Sequence, residues 1–414
     1  MATQEKPAPG RDIPPRIPQG TAYGRAPQHP DAALTQVGPG TPMGELMRRY
    51  WQPVLASRNV TARPREVRIL AEDLIVFRDG EGRPGLLYPR CMHRGTSLIW
   101  GHVEADGIRC CYHGWKFDVR GNCLEQPCEP NPHQCRPEHR QPWYPVRERY
   151  GLVWAYMGPP ERMPAMPRFD CMEPLEAGED YLAFDNSLGA HGDRDGPEVV
   201  PYSWLHMNDN VMDPFHVQVL HTTFSGTQFV REFEVMPRVE FEEIPAGVIY
   251  QAHRDLADGR KVNRTSTWLM PNVMCVPDVA MRPGRPNSLG FSVPVDDSHA
   301  RILMTMRVPA TAAGTRPMRG LEAEKFKPWH QRTVEERQDQ PGDYEAQAGQ
   351  GPISLHSEEH LVTSDKGIGM QRRMLRRAMD AVAAGGDPPG VVFEEGEAMV
   401  AVPSGNFFAG SARR

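Results

Sequence analysis

Two short runs, Cys91-Met92-His93 and Cys110-Cys111-Tyr112-His113, stand sixteen residues apart and constrain this 414-residue chain more than any other feature. They set C-x-H against C-x-x-H, and a fold that joins them must bring two tight loops to one centre. Gly95, Gly107 and Gly114 let backbone pass close to such a centre. Two thiolates suit one iron of a [2Fe–2S] cluster and two imidazoles the other, an exchange that removes negative charge and raises the reduction potential. A structural zinc uses the same ligand types, so ligand identity alone leaves both open. Only Cys110 stands three before His113, so the register assigns it the ligand position and turns Cys111 to the other face. His102 lies between the runs without a partner at motif spacing and reads as a surface residue, while Cys123 and Cys128 do not complete a C-x4-C-x2-C run and read as packing residues.

The remaining composition narrows the class. Five of the eight cysteines fall between positions 91 and 128, too clustered for packing alone, and the total is too sparse for a disulfide scaffold. A formal net charge of -6 with 39% hydrophobic and 24% charged residues describes a soluble globular protein without the basic bias of a nucleic-acid binder. The first twenty residues carry no apolar h-region, and no run of about 18 apolar residues occurs. The expectation is a cytoplasmic protein with neither a membrane nor a nucleic-acid partner.

The chain reads as α+β in three parts. Residues 1–43 form an arm and short helix. Residues 44–163 alternate β-type segments with Gly- and Asp-bearing turns and read as an all-β module. A proline-rich linker then leads to 164–414, where long β segments between 233 and 309 predict an antiparallel sheet. Helices predicted near 208–224 and 364–384 would cover that sheet, and 311–350 reads as a polar stretch. Residues 80–85 spell G-x-G-x-x-G, but Pro84 and Pro89 discourage the helix a dinucleotide site requires, so the run is read as a hairpin turn.

A second constellation, Asn210, Asp213, His216 and His221, follows N-x-x-D-x-x-H-x4-H. Two imidazoles and a carboxylate on one face of an iron leave positions open for dioxygen and substrate. Residues five apart sit about 140° around a regular helix, so a break or π-type turn is required between the two histidines. Asp213-Pro214 offers a cap and a first helical position from which a new helix can start. Taken alone, H-x4-H describes two ordinary half-buried histidines equally well.

The first motif resembles in full that of the Rieske proteins, and the flanking HRG and GW resemble the ring-hydroxylating oxygenases, although a proline often found after the second cysteine is here Cys111. The resemblance implies a β Rieske domain carrying [2Fe–2S] on Cys91, His93, Cys110 and His113, followed by a helix-grip catalytic domain with Fe(II). It further implies that His216 and His221 hold that iron and that Asp213 links a cluster histidine to an iron histidine of the neighbouring subunit, in a homotrimer or a stack of two. The S-D-x4-M-Q-R-R run is similar to the segment bearing the third ligand and nominates Asp365, which also reads as a helix cap; Glu358 and Glu359 compete. The opening LTQVGPGTPMGELMRRYWQPV resembles the phthalate dioxygenase-like subgroup, and the cluster segment looks most like 5,5′-dehydrodivanillate O-demethylases. That implies a terminal oxygenase fed by a separate NAD(P)H-dependent flavin reductase, with or without a ferredoxin. It would O-demethylate a lignin-derived methoxylated aromatic acid with O2, releasing formaldehyde; cis-dihydroxylation of a phthalate-like acid is the alternative. Arg254 or Arg264 is placed to anchor the substrate carboxylate. A non-catalytic Rieske electron carrier would leave His216, His221 and Asp365 without purpose.

Overall fold

Strand Glu72–Arg78 buries Leu74, Ile75, Val76 and Phe77 in succession, as a strand covered on both faces must. It pairs antiparallel with Arg65–Ile69 and Pro84–Leu87 in the computed structural model, which describes residues 27–187, 199–312 and 332–409. Residues 80–85 close the second hairpin: Gly82 takes φ +83°, and Asp79 accepts a hydrogen bond from the Arg83 amide at 2.8 Å. The G-x-G-x-x-G run is thus a turn that leads into strand Pro84–Leu87, where Pro84 discourages a helix. Two further antiparallel sheets complete this part. One joins Trp51–Ala56, Leu152–Tyr156 and Val146–Arg149; the other joins His102–Glu104, Gly107–Arg109, Lys116–Phe117 and Cys123–Glu125.

The later half is built on one antiparallel sheet of eight strands. Its spatial order runs from Glu179–Asp185 through His299–Pro309, Ser288–Asp296, Val273–Cys275, Lys261–Leu269 and Gly247–Asp255 to Arg238–Ile244, with Gly405–Ala409 added against Lys261–Leu269. Helix Lys366–Ala383 packs on Gly247–Asp255, and helix Trp204–Val211 packs on Ser288–Asp296. The first of these buries Ile368, Met374, Leu375 and Ala378 along one side while Arg373, Arg376 and Arg377 stay outside, the stripe expected of a surface helix. Helix Pro42–Arg48, capped by Thr41, lays Met43, Leu46 and Met47 into the same core against Lys366–Ala383. The architecture is the α+β arrangement expected. The arm's first 26 residues and positions 313–331 of the polar stretch lie outside the described residues.

Two buried clusters matter for function. The larger runs through both halves, with Trp154 edge-on to Phe291 at 5.0 Å between ring centroids. The smaller holds the tip of the β module: Ile75, Phe77, Leu87, Leu98, Ile108 and Phe117 pack around Cys91, Cys110 and Trp115. Each such aliphatic or aromatic side chain contributes about 1.5–3 kcal/mol on burial. The loops that carry the cysteines therefore stand on a core of their own.

Candidate functional site

At that tip the two motif loops share one hydrogen-bond frame. The Gly95 amide donates to the Cys91 carbonyl at 2.8 Å, and the Cys91 amide to Thr96 at 2.9 Å. In the second loop Gly114 donates to Cys110 at 3.0 Å, and Cys110 to Trp115 at 2.8 Å. Gly95 and Gly114 sit at φ +78° and +70°, a region other residues rarely adopt, which is why glycine stands two residues after His93 and one after His113. Cys91 and Cys110 are 2% and 3% exposed, and burial pushes the Cys91 thiol up to about 12 with the Cys110 thiol beside it. The His93 and His113 rings lie 4.6 Å apart, and Trp115 stacks on His93 at 4.6 Å with its plane inclined by 3°. Two adjoining thiols under two adjoining imidazoles fit a [2Fe–2S] group. Cys111 and His102 are exposed, Cys123 is half-buried, and Cys128 is exposed rather than packed.

In the second constellation the helix expected near 208–224 is broken beside Asp213-Pro214, where a new start was expected, and widened into the π-type turn. Trp204–Val211 ends at Met212, one α-turn restarts at His216–Gln218, and Val219–Phe224 is a π-helix. Asp213 caps the restart through Oδ1, which accepts from the Phe215 amide at 2.9 Å and the His216 amide at 3.3 Å. The wider π-turn brings residues five apart onto one side, and the His216 and His221 rings stand 5.4 Å apart. His216 Nδ1 is committed to the Asp213 carbonyl and His221 Nδ1 to Gln228 Oε1 at 2.7 Å, so both rings present Nε2 to the same point.

Asp343 meets them there. Its Oδ1 lies 3.5 Å from His216 Nε2, 3.2 Å from His221 Nε2 and 3.0 Å from Asn210 Nδ2. Desolvation raises the Asp343 carboxyl, but His221, His216 and the Asn210 amide outweigh it and hold it well below the usual carboxylate range. Two neutral-capable imidazoles and an ionised carboxylate form the donor set of a non-haem iron site. Among the described residues this is the single His/Cys/Asp/Glu group of three whose ligand atoms lie within 4.8 Å of one another.

Asp365 is not part of it. Its carboxylate folds back onto its own turn, accepting from the Val362 amide at 2.7 Å, at the N-cap position of Lys366–Ala383. Glu359 is bound to Arg372. The carboxylate that lies beside the two histidines opens a different downstream helix, Asp343–Ala348, where Pro341-Gly342 turns the chain toward them. The signal was the Pro-Gly-Asp run, set aside within a stretch read as polar.

Residues 50–145 match the model of the Rieske [2Fe-2S] domain. Over 394 residues the chain is 52% identical to the phenoxybenzoate dioxygenase subunit alpha of Ectopseudomonas oleovorans, covering 95% of each chain. The chain belongs to the Rieske non-haem iron oxygenases. It is an oxidoreductase whose cofactors are a [2Fe–2S] cluster and Fe(II), and as an oxygenase component it takes electrons from a separate protein. The 5,5′-dehydrodivanillate O-demethylase oxygenase subunit of Sphingobium sp. (strain NBRC 103272 / SYK-6) is 35% identical over 87% of this chain and 82% of its own. The phenoxybenzoate enzyme is thus the more similar of the two, against the expectation from the cluster segment. Dicamba monooxygenase bound to dicamba superposes with a TM-score of 0.57 at 18% identity, covering 81% of this chain and 98% of the other, which supports the fold.

In this oxygenase His216, His221, Asn210 and Asp343 form one wall of a chamber of about 250 Å³. Met207, Phe229, Phe233, Tyr250 and Met274 make much of the rest. Phe229 lies 4.8 Å from the His221 ring and Phe233 is 1% exposed, so the apolar side of the chamber closes directly over the histidines. Arg264 is a lining residue at 4% exposure; its guanidinium donates to the carbonyls of Asp278 and Pro277 and to Asn406 Oδ1. Arg254 does not line the chamber but stands behind Phe233, whose ring lies 5.3 Å from the Arg254 guanidinium and 5.2 Å from that of Arg264. Arg254 Nη1 is buried without a hydrogen-bond partner, and burial lowers this residue to about 10. Among the described residues neither arginine forms a salt bridge and no helix is long and apolar enough to cross a membrane.

Proposed function

We propose that this oxygenase cleaves an ether in an aromatic carboxylic acid by oxygenating a carbon bound to the ether oxygen. In this reading Cys91, His93, Cys110 and His113 hold the cluster, and His216, His221 and Asp343 hold Fe(II). The observation that carries the substrate class is the pair Arg254 and Arg264, two buried guanidiniums without a carboxylate, one of them in the wall of an apolar chamber. Buried charge is costly unless paired, and a planar carboxylate is the natural complement of a guanidinium. Phenoxybenzoate and dehydrodivanillate, named for two relatives, are both aryl ether acids.

When bound, the cluster supplies single electrons and Fe(II) the reductive activation of dioxygen. The chain's own residues do the rest. Arg264 sets the acid end of the substrate, so the ether carbon falls near the Nε2 atoms of His216 and His221. Phe229 and Phe233 keep water from the reacting carbon, and the Asn210 amide steadies the Asp343 carboxylate. With a methyl ether, O2, two electrons and two protons give a hemiacetal and water, and the hemiacetal collapses to a phenol and formaldehyde. With a diaryl ether the same inputs place hydroxyls on the ether-bearing ring carbon and its neighbour, and loss of the second ring as a phenol leaves a catechol.

The electron donor in this reading is an NAD(P)H-dependent flavin reductase, alone or with a ferredoxin. Asp213 is its internal relay. Oδ1 of Asp213 is used as a cap while Oδ2, 3.7 Å from His216 Nδ1, is left for a hydrogen bond from His113 of a neighbouring copy. That relay makes the working unit a homotrimer, or two stacked.

Arg264→Gln tests the anionic substrate. Losing a hydrogen bond to a charged group costs about 1.5–3 kcal/mol, so KM for 3-phenoxybenzoate or a methoxybenzoate is expected to rise about 10- to 150-fold. KM for the corresponding methyl esters is expected to stay within a few-fold. Equal losses on acid and ester contradict the reading. Formaldehyde in the products locates the attack on the methyl carbon, and a catechol locates it on the ring.

A further inference from the structure

Two of the three side chains that converge on the iron site come from positions 221 and 343, and nothing in the covalent chain holds them in register. One side chain reaches both. Gln228 lies just beyond the π-helix, where its backbone amide returns to the His221 carbonyl at 2.8 Å. Its Oε1 stands 2.7 Å from His221 Nδ1, and its Nε2 donates to the Pro341 carbonyl at 3.4 Å, two residues before Asp343. Ser225, 6% exposed, donates its hydroxyl to the same carbonyl at 2.6 Å. The Pro341-Gly342 turn is fixed from its other side by Glu345, which accepts from the Gly342 amide at 2.9 Å.

We propose that Gln228 is a positioning residue of the iron site, whose amide oxygen holds His221 in the Nδ1–H tautomer while its amide nitrogen ties down the turn that presents Asp343. The proposal rests on the ligand reading above. An amide oxygen can only accept, so the proton must lie on Nδ1 and the lone pair of Nε2 faces Asp343 and the chamber. The partner of a ligating imidazole fixes ring orientation and basicity, and losing such partners typically weakens metal binding 10- to 100-fold. His216 receives the same service from the Asp213 backbone carbonyl, which no side-chain substitution removes. Gln228 is the substitutable counterpart.

The test is anaerobic Fe(II) titration of cluster-loaded, mononuclear-iron-free protein against a competing chelator. Gln228→Leu is expected to raise the Fe(II) Kd about 10- to 100-fold, with the visible spectrum of the cluster and the Tm of the iron-free protein unchanged. Gln228→Glu restores an acceptor at Nδ1 but not the donor to Pro341, and is expected to fall between wild type and the Leu variant. Wild-type affinity in Gln228→Leu overturns the proposal, as does a Glu variant as weak as the Leu variant, or an equal loss of Tm with and without iron. Should Gln228→Leu not fold, Gln228→Asn, a methylene too short to reach the imidazole, takes its place with the same expectations. Asp343→Ala, titrated alongside, separates the two claims. If it binds Fe(II) like wild type, the ligand reading fails; if it loses iron while the Gln228 variants do not, only the role of Gln228 fails.

Discussion

Asp343 and Asp365 both stand at the start of a helix late in the chain, and only their surroundings separate them. Asp343 directs Oδ1 at two imidazoles, whereas Asp365 spends its carboxylate on the Val362 amide. Asp343→Ala is therefore expected to abolish iron retention and substrate oxidation while the cluster absorbance persists. Asp365→Ala is expected to cost about 1 kcal/mol of stability, the scale of one lost hydrogen bond to the Val362 amide, and to keep full iron content by metal analysis. A run of helix-opening residues fixes that a helix begins but not where that helix returns in space, which is why Asp365 was legible as the start of a helix while its separation from the two histidines was not. His216 and His221 were singled out by the N-x-x-D-x-x-H-x4-H run beside the first motif and its resemblance to the Rieske oxygenases, since H-x4-H alone describes two ordinary histidines equally well. Gln228 carries no signal in sequence: an amide becomes a clamp only once Pro341 and His221 are brought to it.

At the scale of elements, the break at Asp213-Pro214 and the π-turn at Val219–Phe224 follow from the requirement that residues five apart share a side. The strands and the Lys366–Ala383 helix were likewise readable from alternation and the buried stripe. The division of 208–224 was readable too, because Asp213-Pro214 offers a cap and a first helical position for a second start. Helix Trp204–Val211 carries Asn210 and is anchored by His206, 3% exposed, with Nδ1 at 3.2 Å from the Ser203 carbonyl and Nε2 at 3.1 Å from Ser354 Oγ. Burial lowers His206 to about 4, so the folded protein holds it neutral where the unfolded chain begins to protonate near pH 6.5. The folded state then binds fewer protons, and stability present above pH 6.5 is lost as pH falls toward 4, by roughly 3 kcal/mol for this group. Chemical denaturation from pH 7.5 to 4.5 is expected to show that slope, and a folded His206→Gln variant to flatten it.

At the scale of the molecule, the cluster tip has its own small core, and among the described residues of one chain no hydrogen bond joins His113 to Asp213. The proposed electron transfer between copies gives a sharp expectation. Cys91→Ser protein, without a cluster, and His216→Ala protein, without iron, are each expected to be inactive. Co-expressed in mixed assemblies they are expected to recover a substantial part of wild-type turnover, and mixed assemblies that stay inactive would place the transfer within one chain. The most direct measurement is a single turnover without reductase: protein with reduced cluster and bound Fe(II), given 3-phenoxybenzoate or a methoxybenzoate and 18O2, then quenched for mass spectrometry. We expect 18O in the catechol from 3-phenoxybenzoate, or formaldehyde, whose oxygen exchanges with water, from the methoxybenzoate, at no more than one product per iron, and no product from Asp343→Ala. Unlabelled catechol, or the same product yield from the variant, would contradict an oxygenase centred on His216, His221 and Asp343.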